Sequence, residues 1–143
     1  MSSSDPAVRV LCVDDNRDAA DTLAILLDLA GFRPHVCYSG PEAVHALSAF
    51  RPDAAILDLM MPGMSGIELA GRIRDWAGSR YVPLVAVTAL GDEESRRTTE
   101  AAGFDLHLTK PVQPDQLATV LADLVILRGS FEPFDRENPA TVG

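Results

Sequence analysis

The chain is poor in the residues that build disulfide scaffolds and transition-metal sites: its 143 residues include two cysteines and three histidines. Cys12 and Cys37 sit in the apolar runs VRVLCV and HVCYS, with no CxxC spacing. Both are expected to be buried, reduced thiols rather than a disulfide or a metal site. His35, His45 and His107 stand apart from one another, which argues against a histidine cluster. Basic residues are scarce too. Lys and Arg number 12 against 21 Asp and Glu, leaving a formal charge of −9, and they are scattered, so nothing marks a surface that grips a phosphate backbone. Direct nucleic-acid binding is not expected. No apolar run approaches the roughly 20 residues that cross a bilayer, and the opening MSSSDPAVRV has neither an apolar signal core nor a basic leader. A soluble, cytoplasmic protein without membrane attachment is the expectation.

What is present suits one domain with a real core, since 47% of the sequence is hydrophobic. Apolar runs alternate with helix-period segments five times, the signal for strand–helix repeats and an α/β fold with a parallel sheet. Strands are expected over 8–13, 34–38, 53–58, 82–88 and 104–108. Helix stripes follow as Leu23, Leu26, Leu27 and Ala30; Ala43, Ala46, Leu47 and Phe50; Leu69, Ala70, Ile73, Trp76 and Ala77; and finally Leu117, Val120, Leu121 and Leu124. Gly31, Gly78 and Gly103 fall where helices should stop, and Pro34 and Pro83 fall at strand starts. The fourth helix, in GDEESRRTTEAAG, offers only Ala101 and Ala102 as an apolar face. It is expected to be the least anchored helix, suited to moving or to being read by a partner. Residues 1–7 read as an extension, 8–127 as the domain and 128–143 as a flexible tail rich in Pro, Gly and polar residues.

In a parallel sheet all strands end on one edge, which the crossovers leave open for loops and ligands. The first strand ends in Asp14-Asp15, the third in Asp58, the fourth in Thr88-Ala89 and the fifth in Thr109-Lys110-Pro111. Three carboxylates, a hydroxyl and an ammonium should therefore meet. Each has an ordinary alternative: Asp15 as an N-cap, Thr88 as a loop cap, Lys110 as a surface residue at a turn, Asp58 as its ion-pair partner. All four ordinary roles falling together on the functional edge would be a coincidence. Three clustered aspartates repel one another unless a cation is shared, and oxygen-only ligation points to Mg²⁺ rather than zinc or copper. An aspartate can attack phosphorus while metal and ammonium neutralise the transferring group and a hydroxyl binds one of its oxygens. Asp58, in AAILDLMMPGMSGIEL, is then a phosphate acceptor, and the turn after it brings the Met60 backbone carbonyl to the metal.

These motifs resemble the receiver domain of two-component response regulators, from about Val8 to Leu127. VDD at 13–15, LDLMMPGMSGIEL at 57–69, VTAL at 87–90 and LTKPV at 108–112 occur in the family's order and at its spacing. The resemblance implies a flavodoxin-like fold, a doubly wound five-stranded parallel sheet of order 2-1-3-4-5 with five helices. It implies phosphorylation of Asp58 from a phosphohistidine, Mg²⁺ bound through Asp15, Asp58 and the Met60 carbonyl with Asp14 in support, and Thr88 and Lys110 on the phosphoryl group. The Lys110-Pro111 bond would be cis. Met60 and Leu90 occupy the positions that border the attacking water, and both are apolar. Where the family usually carries Tyr or Phe in the last strand, this chain has His107, a candidate switch residue alongside Thr88. Partners implied are a histidine kinase or histidine phosphotransfer protein, and a downstream protein on the face of the fourth helix, fifth strand and fifth helix. With no output domain in the chain, a stand-alone receiver is expected, the alternative being a fragment of a hybrid kinase, against which the start MSSSDPAV weighs. Two other readings compete. A Mg²⁺-dependent aspartyl-phosphate phosphohydrolase would need the second acid of a DxDxT pattern, which Asp58-Leu59-Met60 lacks. An unphosphorylated interaction module would have no need of the intact set Asp14, Asp15, Asp58, Thr88 and Lys110.

Overall fold

The computed structural model describes residues 7–89 and 93–127. In chain order these form β1 (Arg9–Val13), α1 (Arg17–Leu29), β2 (Arg33–Cys37), α2 (Gly40–Phe50), β3 (Ala54–Asp58), α3 (Gly66–Ala77), β4 (Leu84–Thr88), α4 (Glu93–Ala101), β5 (Leu106–Thr109) and α5 over residues 114–127. The strands make one sheet of order β2-β1-β3-β4-β5, every pair parallel. The expected strands are all present, shifted or trimmed by one or two residues. Residues 1–6, Leu90 and the expected tail lie outside the described residues.

Strand alternation divides the core in two. Leu11, Val13, Ala55, Leu57, Leu84 and Ala86 point to the layer of α2 and α3. Val10, Cys12, Ala54, Ile56, Val85 and Val87 point to the opposite layer, where Leu23 and Leu27 of α1 meet Leu117, Val120, Leu121 and Leu124 of α5. Both faces of the three central strands are thus covered, which is why those segments read as continuous apolar runs. Cys12 and Cys37 are free and buried, on opposite faces of the sheet.

Helix starts follow their local chemistry. Asn16, Ser39 and Ser65 cap α1, α2 and α3, their side chains accepting from the backbone N–H three residues on. Asp15 is therefore not the cap of α1, and its carboxylate is left for other work. The helix stripes are buried or half-buried as expected except Ala30, which caps the exposed end of α1. The fourth helix needs a larger correction. Ala101 is exposed and Ala102 half-buried, while among the helix's described side chains the one facing inward is Thr99, fully buried. A polar residue can serve as an anchor because its hydroxyl donates to the Arg96 carbonyl oxygen at 3.0 Å and is hydrogen-bonded to His107 Nε2.

Candidate functional site

Asp14, Asp58 and Thr88 stand at the carboxyl ends of β1, β3 and β4, three adjacent strands, and Lys110 follows the end of β5. Asp14, Asp58 and Thr88 are buried, Lys110 is partly buried and Asp15 is exposed. The Lys110 ammonium reaches both inner carboxylates, with Nζ 3.1 Å from Asp14 Oδ2 and 3.5 Å from Asp58 Oδ2. Asp14 Oδ1 also accepts from the Asn16 backbone N–H at 2.9 Å, which holds it in place at the mouth of α1. One carboxylate oxygen from each of Asp14, Asp15 and Asp58 lies within 4.8 Å of the others. That donor set, hard oxygens only and partly open to solvent through Asp15, fits a small divalent cation.

The electrostatics record the crowding. Burial, then the neighbouring Asp14 carboxylate, pushes the Asp58 pKa up to about 6, and Lys110 only partly offsets them. Burial disfavours the Lys110 ammonium, yet its bonds to Asp14 and Asp58 outweigh that and hold it above its usual range. The cluster has one cation for three acids.

The backbone that carries Asp58 is held by its surroundings. Leu59 N–H donates to the Val87 carbonyl at 3.2 Å, and Gly66 N–H donates to the Leu59 carbonyl at 3.0 Å. A Cβ on Gly66 would lie 2.4 Å from the Asp58 carbonyl oxygen and 2.8 Å from Leu59 Cα. Only glycine lets the start of α3 come this close to β3. On the other side Lys110 N–H donates to the Thr88 carbonyl at 2.8 Å, and the Lys110-Pro111 bond is cis, as expected.

Residues 10–122 match the family model of the response regulator receiver domain. The chain belongs to this family. Among relatives, this receiver is 32% identical over 134 residues to the phosphate regulon transcriptional regulatory protein PhoB of Pseudomonas aeruginosa, covering 94% of this chain and 57% of that one. It is 38% identical over 109 residues to the DNA-binding response regulator MtrA of Mycobacterium tuberculosis, covering 76% of this chain and 46% of that one. The sensor histidine kinase GacS of Pseudomonas protegens matches at 36% over 121 residues, which is 82% of this chain and 13% of the kinase. The receiver thus spans about half, or far less, of these longer proteins. Among solved structures, the chemotaxis protein CheY4 of Vibrio cholerae superposes with a TM-score of 0.78 at 27% identity, covering 83% of this chain and 99% of that one. A CheY-like receiver domain from Methylobacillus flagellatus gives 0.70 at 31% identity, covering 83% and 99%.

The receiver thus brings Asp14, Asp15, Asp58 and Lys110 together and sets Thr88 at the end of the strand beside Asp58. His107 lies on β5, half-buried, turned toward Thr99 rather than toward the carboxylates. Burial, then the Arg96 guanidinium, lowers its pKa, with Glu100 opposing. Met60 follows Asp58 by two positions and is 80% exposed. Sequence reasoning missed three positioning residues: Asn16, Gly66 and Thr99. Asn16 precedes a helical stripe and carries a capping signal; the other two have none until the packing is known. Among the described residues no helix is long and apolar enough to cross a membrane.

Proposed function

We propose that this receiver takes a phosphoryl group from a phosphohistidine onto Asp58 and that the modified state changes which proteins it binds. The observation that carries this reading is the Lys110 ammonium placed against both Asp14 and Asp58 at a cluster of three carboxylates. The Asp58 carboxylate oxygen attacks phosphorus, the P–O bond forms as the P–N bond breaks, and the imidazole, already protonated on its other ring nitrogen, takes the bonding pair and leaves neutral. Lys110 neutralises charge on the transferring oxygens, and the Thr88 hydroxyl binds one of them. Asp14, Asp15, Asp58 and the Met60 backbone carbonyl would hold Mg²⁺, which when bound screens the phosphoryl charge from the carboxylates. Met60, and Leu90 outside the described residues, are apolar and leave attacking water unoriented, so the acyl phosphate should be long-lived. Thr88 and His107 would pass the change to α4 and to a protein docked on α4, β5 and α5.

On this reading the chain is a signalling phosphoacceptor rather than a turnover enzyme: one group is accepted and slowly released, donated by a histidine kinase or a histidine phosphotransfer protein. Incubation with Mg²⁺ and a small acyl phosphodonor is expected to add one phosphoryl group, located on Asp58 by peptide mass spectrometry. Asp58→Asn should take none. An adduct located elsewhere, or none on the wild type, overturns the reading.

A further inference from the structure

We infer that Met60 is an oxidation site, its thioether converted to the sulfoxide by hydrogen peroxide, and that this conversion shortens the life of the phosphorylated receiver. The second half rests on the proposed phosphorylation of Asp58; the first does not.

The described methionines differ sharply in access. Met61 is 8% exposed and belongs to the core. Met64 is half-buried, its Sδ, Cβ and Cγ packed so tightly over Gly40 that a Cβ there would lie within 2.6–2.8 Å of them. Met60 is 80% exposed. Its neighbours keep it so. Leu59 is tied to β4 and to the start of α3 through both its N–H and its carbonyl, and Met61 is buried, so the short span between them cannot turn the Met60 side chain inward. The exposed residue is also close to Asp58 along the chain. Only Leu59 separates it from Asp58, so the two Cα atoms are at most about 7.6 Å apart, a distance comparable with the reach of the side chain itself.

The chemistry balances with peroxide as the named oxidant. A sulfur lone pair attacks one peroxide oxygen; the S–O bond forms as the O–O bond breaks; the departing hydroxide takes the proton from the transferred oxygen and leaves as water. Sulfur loses two electrons and the peroxide gains them. A flexible apolar thioether, a weak acceptor, becomes a polar sulfoxide with a strong one, and dithiol-dependent reductases reverse the change. Beside an acyl phosphate the thioether sheds water, whereas the sulfoxide oxygen accepts a hydrogen bond from a water and holds it near phosphorus. Peroxide would thereby clear the phosphorylated state without touching the acceptor.

The test uses the full chain. Graded hydrogen peroxide is followed by peptide mass spectrometry of Met60, Met61 and Met64. Met60 is expected to gain its oxygen several-fold faster than either of the others; similar rates overturn the proposal. Peroxide-treated and untreated wild type, Met60→Leu and Met60→Gln are then labelled with a small acyl phosphodonor and Mg²⁺, and decay of the label is timed. Treated wild type should lose it several-fold faster than untreated, Met60→Leu should be indifferent to treatment, and untreated Met60→Gln should decay like oxidised wild type. Unchanged decay in oxidised wild type, or equal shortening in Met60→Leu, sinks the timing role. A chain that accepts no label under any condition refutes the phosphorylation of Asp58 instead, while the methionine rates still decide the oxidation site.

Discussion

Asp58 holds a carboxylate where a neutral group would be more stable, and that has a measurable sign. Its pKa is about 6 in the folded chain, against about 3.9 for an unperturbed aspartate. Between those values the folded chain binds more protons than the unfolded one, so this group's contribution to stability falls as pH rises from about 4 to 6 and stays low above. With divalent ions chelated, Asp58→Asn should stabilise the protein at pH 7.5 by about 1–2 kcal/mol, and the gain should fade toward pH 4. Urea unfolding at both pH values checks this; an equal gain at both would assign it to something other than the buried charge. Gly66→Ala tests the backbone under the same residue. Its Cβ would force the start of α3 away from the Asp58 carbonyl, with an expected loss of about 1–3 kcal/mol and slower labelling of Asp58. Wild-type stability and labelling in that variant would mean the close approach is dispensable. The two residues differ in how legible they were. A charge closing an apolar run shows in the sequence itself, whereas Gly66 reads as an unremarkable helix start until β3 and α3 are seen to touch.

At the scale of elements, α4 is where sequence and structure part. Hydrophobic patterning finds helices by their apolar stripe, and it found α1, α2, α3 and α5 because each buries Leu or Ile against the sheet. Among the described side chains of α4 the buried one is Thr99, which an apolar pattern resting on Ala101 and Ala102 does not show. Since the Thr99 hydroxyl proton goes to the Arg96 carbonyl, the His107 Nε2–H is the donor in the tie between β5 and α4. Thr99→Val keeps the volume and removes the acceptor. Amide exchange is expected to rise across residues 96–101 and to stay unchanged in α3, because α4 has little apolar burial with which to resist opening. Exchange unaltered in α4 would show that the helix is held by something other than this pair.

For the molecule as a whole, the parallel sheet was legible in the alternation of strands and helices, whereas its order was implied by the resemblance to the receiver family, because alternation with right-handed crossovers still leaves several orders open. Element ends were less legible: the expected strand over 82–88 begins at Leu84, after Pro83, whose ring has no N–H to give the ladder. The site was legible for a topological reason, since a parallel sheet delivers all its carboxyl ends to one edge. That placement has a further outcome. Lys110 and Asp14 are 96 residues apart in the chain, and Asp58 lies between them. No fragment or half-formed sheet brings the three together, so the proposed phosphorylation of Asp58 requires that the last strand has docked. In a urea titration the labelled fraction should therefore follow the loss of tertiary structure point for point, and label retained beyond that transition would contradict it. Under the proposed function, a chain built this way carries its own certificate of folding: a donor would transfer nothing to a misfolded copy, and the pool of modified molecules would count native ones alone.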